Sequence, residues 1–251
     1  MTTCYRRGRV LAAATGGLAC LVAVLASCSS SSSKTTTSTV ASPSSSSPTA
    51  PPSASPASQS ELAKIVLQPS DLPAGWTSTP YQVDPNEAAE LAALMRCLGL
   101  PNTASDKVAE ANSDDFHLGD ASVSSSASSY RSQSAVDSNV AALHSSKFSS
   151  CLAQQLKQLI APQLPAGAAI ESVSVKVTPG SAGGPANVVG TGAVTMKISL
   201  GGQQAALYLT VAYIIGPLIQ ADVDSQNTGA PVPASLMDSL VAAVANRAAQ
   251  A

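Results

Sequence analysis

Residues 188–216, VVGTGAVTMKISL-GG-QQAALYLTVAYIIG, decide the fold. Val188, Val194, Met196, Ile198 and Leu200 fall on one face, and Thr191, Thr195, Lys197 and Ser199 on the other. That period of two is a half-buried strand. Gly201-Gly202 then turns the chain, and Leu207 to Ile215 runs almost continuously apolar, as a strand covered on both faces does. Gly216-Pro217 turns it again and Leu218 to Asp224 returns. Upstream, Val173, Val175 and Val177 alternate with polar residues and supply one more strand of an antiparallel meander.

Helices flank this sheet. Glu61 to Leu67 reads as a short one. Asp84 caps the next, with Pro85 at its first position and Glu87 at its third, and Gly99 and Pro101 stop it. Its apolar face is Ala88, Leu91, Leu94, Met95 and Leu98. Two more run from Gln133 to His144 and from Lys147 to Ile160, and a last one begins at about Pro233. The Ser-rich stretch 121–130 reads as a polar strand near a sheet edge. The expectation is an α+β domain over residues 61–251, in which an antiparallel sheet of about four to five strands packs against several helices.

The first 60 residues are of another kind. Arg6, Arg7 and Arg9 precede an uncharged run from Val10 to Ala26, which has the parts of an export signal over residues 1–27. At 17 residues, with Gly16-Gly17 inside it, the run is marginal for a spanning helix. From Ser29 to Ser60 the chain is almost wholly Ser, Thr, Pro and Ala, with Lys34 its one charge. Such a stretch cannot offset chain entropy by burial and reads, over residues 28–60, as a tether about 100 Å long when stretched. O-linked sugars are a minority option there.

Leu25-Ala26-Ser27-Cys28 resembles the bacterial lipobox. The resemblance implies cleavage before Cys28 and acylation of its thiol, hence a lipid anchor on the extracytoplasmic face of the cell membrane. The plainer alternative is an ordinary cleaved signal with Cys28 incidental. Of the five cysteines, Cys4 and Cys20 would leave with the signal. Cys97 and Cys151 would then face an oxidising exterior, and one disulfide between them is the natural reading, two buried free thiols the alternative.

A net charge of -2 without a basic patch argues against nucleic acid as a partner. No cofactor motif is present, and a metal site would have only His117 and His144 to add to two cysteines. There is no Gly-x-Ser-x-Gly elbow. His144-Ser145-Ser146 reads as a surface turn. Asp222-Val223-Asp224 is half a calcium loop without its glycine, so exposed strand-end carboxylates are expected. Asp114-Asp115 reads as capping or solvating a loop, and Gly190-Thr191-Gly192 lies within a strand, not before a helix.

The lipobox, the Ser/Pro tether, Asp71-Leu72-Pro73-Ala74-Gly75-Trp76, Arg96-Cys97-Leu98-Gly99, Cys151, the meander and the last helix ending at Arg247 together resemble actinobacterial, mycobacterial-type envelope lipoproteins. Some of these carry PsbP-like domains, and others resemble the extracellular sensor domain of PknH-type kinases. The chain departs from the kinases in having no kinase domain, no spanning helix and one cysteine pair where two are expected, and no functional residue carries over.

Three functions remain open. One is a non-catalytic, sensor-like binding module that takes a hydrophobic or glycan ligand, or an envelope protein, between sheet and helices. Trp76, Leu207, Leu209, Val211 and Tyr213 are its candidate lining residues, with plain core the simpler reading of each. The second is an envelope lipid or glycan hydrolase using His144 or Asp114/Asp115 with a serine. The third is a structural lipoprotein without a small ligand.

Overall fold

A computed structural model describes residues 55–180, 185 and 187–251, so the signal, Cys28 and most of the tether lie outside the described residues. Among the described residues the order is α1 (Gln59–Ile65), β1 (Thr77–Thr79), α2 (Glu87–Leu98), β2 (Lys107–Asn112), β3 (Asp115–Leu118), β4 (Ala121–Tyr130), α3 (Gln133–Leu143), α4 (Phe148–Ile160), β5 (Ala168–Pro179), β6 (Val188–Leu200), β7 (Gln203–Gly216), β8 (Ile219–Thr228) and α5 (Ala234–Ala248). No helix among them is long and apolar enough to cross a membrane.

The α+β class holds, but among the described residues the sheet has eight strands instead of four or five. Its order is β1-β3-β4-β8-β7-β6-β5, with β2 also paired to β4. The meander β5–β8 is as the alternation predicts. The β6–β7 hairpin closes with Leu200 opposite Gln203. Gly201 and Gly202 both take positive φ, 58° and 79°, as a two-residue turn of type I′ requires. β4 is the main correction. It is interior, pairing with β8 on one side and with β2 and β3 on the other. Its serines looked like an edge because they carry no apolar stripe. A buried hydroxyl costs little once hydrogen-bonded. Ser125 Oγ accepts from Leu67 N–H (2.7 Å) and Ser129 Oγ donates to the Ala57 carbonyl (2.7 Å), so both hold the α1 segment.

α2 starts at Glu87 with Asn86 as its N-cap residue, two positions later than expected. Asp84 instead accepts from the Asn86 N–H (2.8 Å), bending the approach into the helix. Gly99 ends the helix in the left-handed region, φ 73°.

The sheet buries both faces. On one, Leu94, Met95, Leu152 and Leu156 of α2 and α4 meet Val194, Met196, Leu209 and Val211. Cys97 and Cys151 join these helices, their Sγ atoms at disulfide distance, 2.03 Å. On the other face, α1 and α5 pack Leu62, Ile65, Leu240 and Val244 against Phe116, Val123, Ala221 and Val223. β7 is covered on both faces only over Val211 to Ile214.

Arg247, near the end of α5, ties that layer to the loop after α1. Its Nε donates to the Ile65 carbonyl (3.0 Å), and its guanidinium spans both oxygens of Asp71 at 3.1 and 2.8 Å. Burial works to raise the Asp71 pKa, but hydrogen bonds from Arg247 and the Gln68 N–H outweigh it and hold the carboxyl below its usual range. A depressed acid contributes stability above its unfolded pKa and loses it as pH falls through the folded value. Arg247→Ala is expected to destabilise the fold by about 1.5–3 kcal/mol, the range for hydrogen bonds to charged groups. Urea denaturation at pH 7 checks this, and the deficit should shrink on acidification.

Candidate functional site

The β4–β8 pairing builds a polar floor on the sheet face that also carries α2 and α4. Ser122, Ser124, Ser126 and Ser128 lie opposite Gln226, Asp224, Asp222 and Gln220. Side chains alternate along a strand, so these eight share one face while Val123, Ala127, Ala221 and Val223 take the other. β7 continues the rows, with Leu209, Val211 and Tyr213 opposite Gln226, Asp224 and Asp222. On the far side β2 brings Glu110 and Asn112 against Ser128 and Ser126, and β3 brings His117 against Ser122. Asp115, two residues before His117, shares its face, and Thr79 Oγ1 lies 3.2 Å from His117 Nε2.

Exposure is graded across this floor. Gln220, Asp222, Asp224 and Gln226 are only 4%, 2%, 6% and 4% exposed. Asp115, His117, Ser122 and Ser124 are half-buried. The strand-end reading of Asp222 and Asp224 is therefore overturned. They sit mid-strand, in the row between β4 and β7.

One end of the floor is closed by bonds. Asn139 of α3 donates through Nδ2 to Gln220 Oε1 (2.9 Å) and accepts through Oδ1 from Thr103 (2.7 Å). Ser126 Oγ lies 2.5 and 3.0 Å from the two oxygens of Asp222, donating to the carboxylate. Burial, with Glu110 and Asp222 nearby, pushes the Tyr130 hydroxyl well up. The cavity beneath α3, lined by Asn139, Leu143, Tyr213 and Gln220 among others, holds about 10 Å³, at the lower limit for one water.

The other end is open in its bonding. Asp224 Oδ1 and Gln226 Oε1 are buried and have no hydrogen-bond partner. Burial first, then the charges of Asp222 and Asp115, raise the Asp224 pKa well above the carboxylate range. Burial also raises Asp115, against the pull of His117. Tyr213 is pushed up by burial and by Asp224 and Asp222. The arrangement can accept hydrogen bonds. No three of the described His, Cys, Asp and Glu side chains converge as a metal site would need.

The residues expected to line a ligand cleft separate into two groups. Leu207, Leu209, Val211 and Tyr213 are buried against α2 and α4, and the last two border Asp224 and Asp222. Trp76 packs half-buried with the α1–α5 layer, on the opposite face, so it joins no site with them. His144 is exposed at the C-terminal end of α3. Asp115 is on strand β3 and not in a solvated loop. Gly190 lies in β6, where an added Cβ would stand 3.0 Å from Leu143 Cδ2, so its smallness serves the approach of α3. Sequence reasoning missed Gln226 and Ser124 altogether. The one signal was the two-residue spacing of Asp222, Asp224 and Gln226, with Gln220 before them.

No family profile and no curated protein sequence matches the chain. Among solved structures, the extracellular domain of PknH from Mycobacterium tuberculosis is similar over 77% of this chain and 97% of that one, with 11% identity and a TM-score of 0.36.

Proposed function

We propose that the protein is a lipid-anchored, extracytoplasmic binding lipoprotein of sensor-like type, without catalytic activity, whose ligand docks on the polar floor at Asp224 and Gln226. The observation that carries the ligand reading is the two orphaned acceptors that β8 holds side by side, Asp224 Oδ1 and Gln226 Oε1, among the buried side-chain oxygens without a partner. A buried acceptor left unpaired costs about 1–3 kcal/mol. Two of them on alternate residues of one strand form a place a donor-bearing ligand would complete. The half-buried hydroxyls of Ser122 and Ser124 and the ring of His117 would line its approach. The anchor rests on Leu25-Ala26-Ser27-Cys28, with the Ser/Pro stretch holding the domain off the membrane.

Two measurements test the two halves. Cells fed radiolabelled palmitate should label the full chain, and Cys28→Ala should lose that label; a labelled Cys28→Ala protein would end the anchor reading. Protein taken gently from its own envelope should melt higher than the same protein denatured, stripped and refolded, because ligand bound only to the folded state stabilises it. Equal melting temperatures, with refolding complete, would end the ligand reading.

A further inference from the structure

We propose that Asp224 and Gln226 recognise a small organic ammonium ion, the amine donating to Asp224 Oδ1 and Gln226 Oε1. This rests on the polar floor being a ligand site and adds the chemical class. Both orphaned atoms are acceptors, so the missing partner is a donor. The charges around them are lopsided. Asp222 lies on the same strand, Asp115 on β3 and Glu110 on β2, Tyr213 faces them from β7, and Glu90 of α2 is buried in the layer above the sheet. Lys107 is engaged by Glu110 at 2.7 Å. Among the described residues, His117 is the one other basic group that the strand pairings bring to this face.

A surplus of carboxylates in a desolvated place favours a positive guest over a neutral one. A divalent metal would need convergent ligands that the described residues do not provide. An ammonium needs only acceptors, and it carries three donors on one nitrogen. Its arrival would oppose the burial and carboxylate repulsion that raise the Asp224 pKa. The carboxyl would ionise, release its proton to solvent and pair with the guest.

Calorimetry on the full chain in detergent, freed of any carried ligand, tests this with putrescine as the probe and trehalose as a neutral comparison. Putrescine should bind with net release of protons, read from the heats in two buffers of different ionisation enthalpy. Gln226→Leu should weaken it roughly tenfold and Asp224→Asn at least about a hundredfold, for a lost bond and a lost charge pair. Binding of trehalose but not putrescine, lost in Asp224→Asn, would overturn the ammonium class and leave the site standing. Binding of putrescine unchanged in both variants would overturn the site as its seat. Binding of neither probe overturns the ammonium proposal; the melting comparison above then decides separately whether a ligand site exists.

Discussion

Replacing Cys97 and Cys151 together by alanine is expected to lower the stability of the domain by about 4 kcal/mol, from the chain-entropy model of a closed loop of this size. The two residues are 54 apart in sequence, and the loop between them holds β2, β3, β4 and α3. Uncrosslinked, the unfolded chain regains the freedom of that whole span. The folded state also loses its fixed link between α2 and α4, which otherwise meet through apolar side chains and the bond from Gln155 Nε2 to the Glu90 carbonyl (2.5 Å). Urea denaturation of oxidised, reduced and double-alanine protein checks this. Oxidised protein should unfold at distinctly higher urea, with the other two nearly alike. If all three coincide, the two sulfurs are not bonded in the folded protein.

Asp224→Leu should act in the opposite sense, raising stability by about 1–3 kcal/mol at pH 7 while removing ligand binding entirely. The carboxyl is buried, carries an unpaired oxygen, and stands opposite Val211 and beside Asp222. A leucine would extend the apolar row of Leu209 and Val211. The pH dependence gives the sign independently. Because its folded pKa is raised, Asp224 contributes stability fully present below its unfolded value of about 3.9, and that contribution falls away as pH rises through the folded pKa. That contribution should therefore fall as pH rises from the unfolded value through the folded pKa, and Asp224→Leu should remove that fall. A variant less stable than wild type at every pH would mean that Asp224 has a structural partner, and the floor would not be a site.

Legibility in the sequence divides along the same lines as the chemistry. β5 to β8 could be read because their apolar residues alternate and glycines mark the turn after Leu200. α3 and α4 could be read to within one residue because each has a one-sided apolar stripe. β1 to β3 could not. Thr77–Thr79 is exposed throughout, and Lys107–Asn112 puts its one valine, Val108, half in solvent at 50% exposure. β1 is held by pairing to β3 and β2 by pairing to β4, and neither has an apolar alternation of its own. The floor was hidden for a related reason. Ser126 and Asp222 are 96 residues apart, so the stretch 121–130 reads as a solvated edge until β8 is laid beside it. Asp222 and Asp224 could be noticed as a pair, but their burial depends on what α3 and β4 cover. The apolar residues of β7 were legible as core, and core is how they pack.

The most direct test of the central claim is native mass spectrometry on the full chain, wild type beside Asp224→Leu, each taken gently from its own envelope. Wild-type protein should carry a small extra mass that disappears on denaturation, and the variant, folded and at least as stable, should be bare. The same extra mass on both, or on neither, would contradict a ligand held by Asp224.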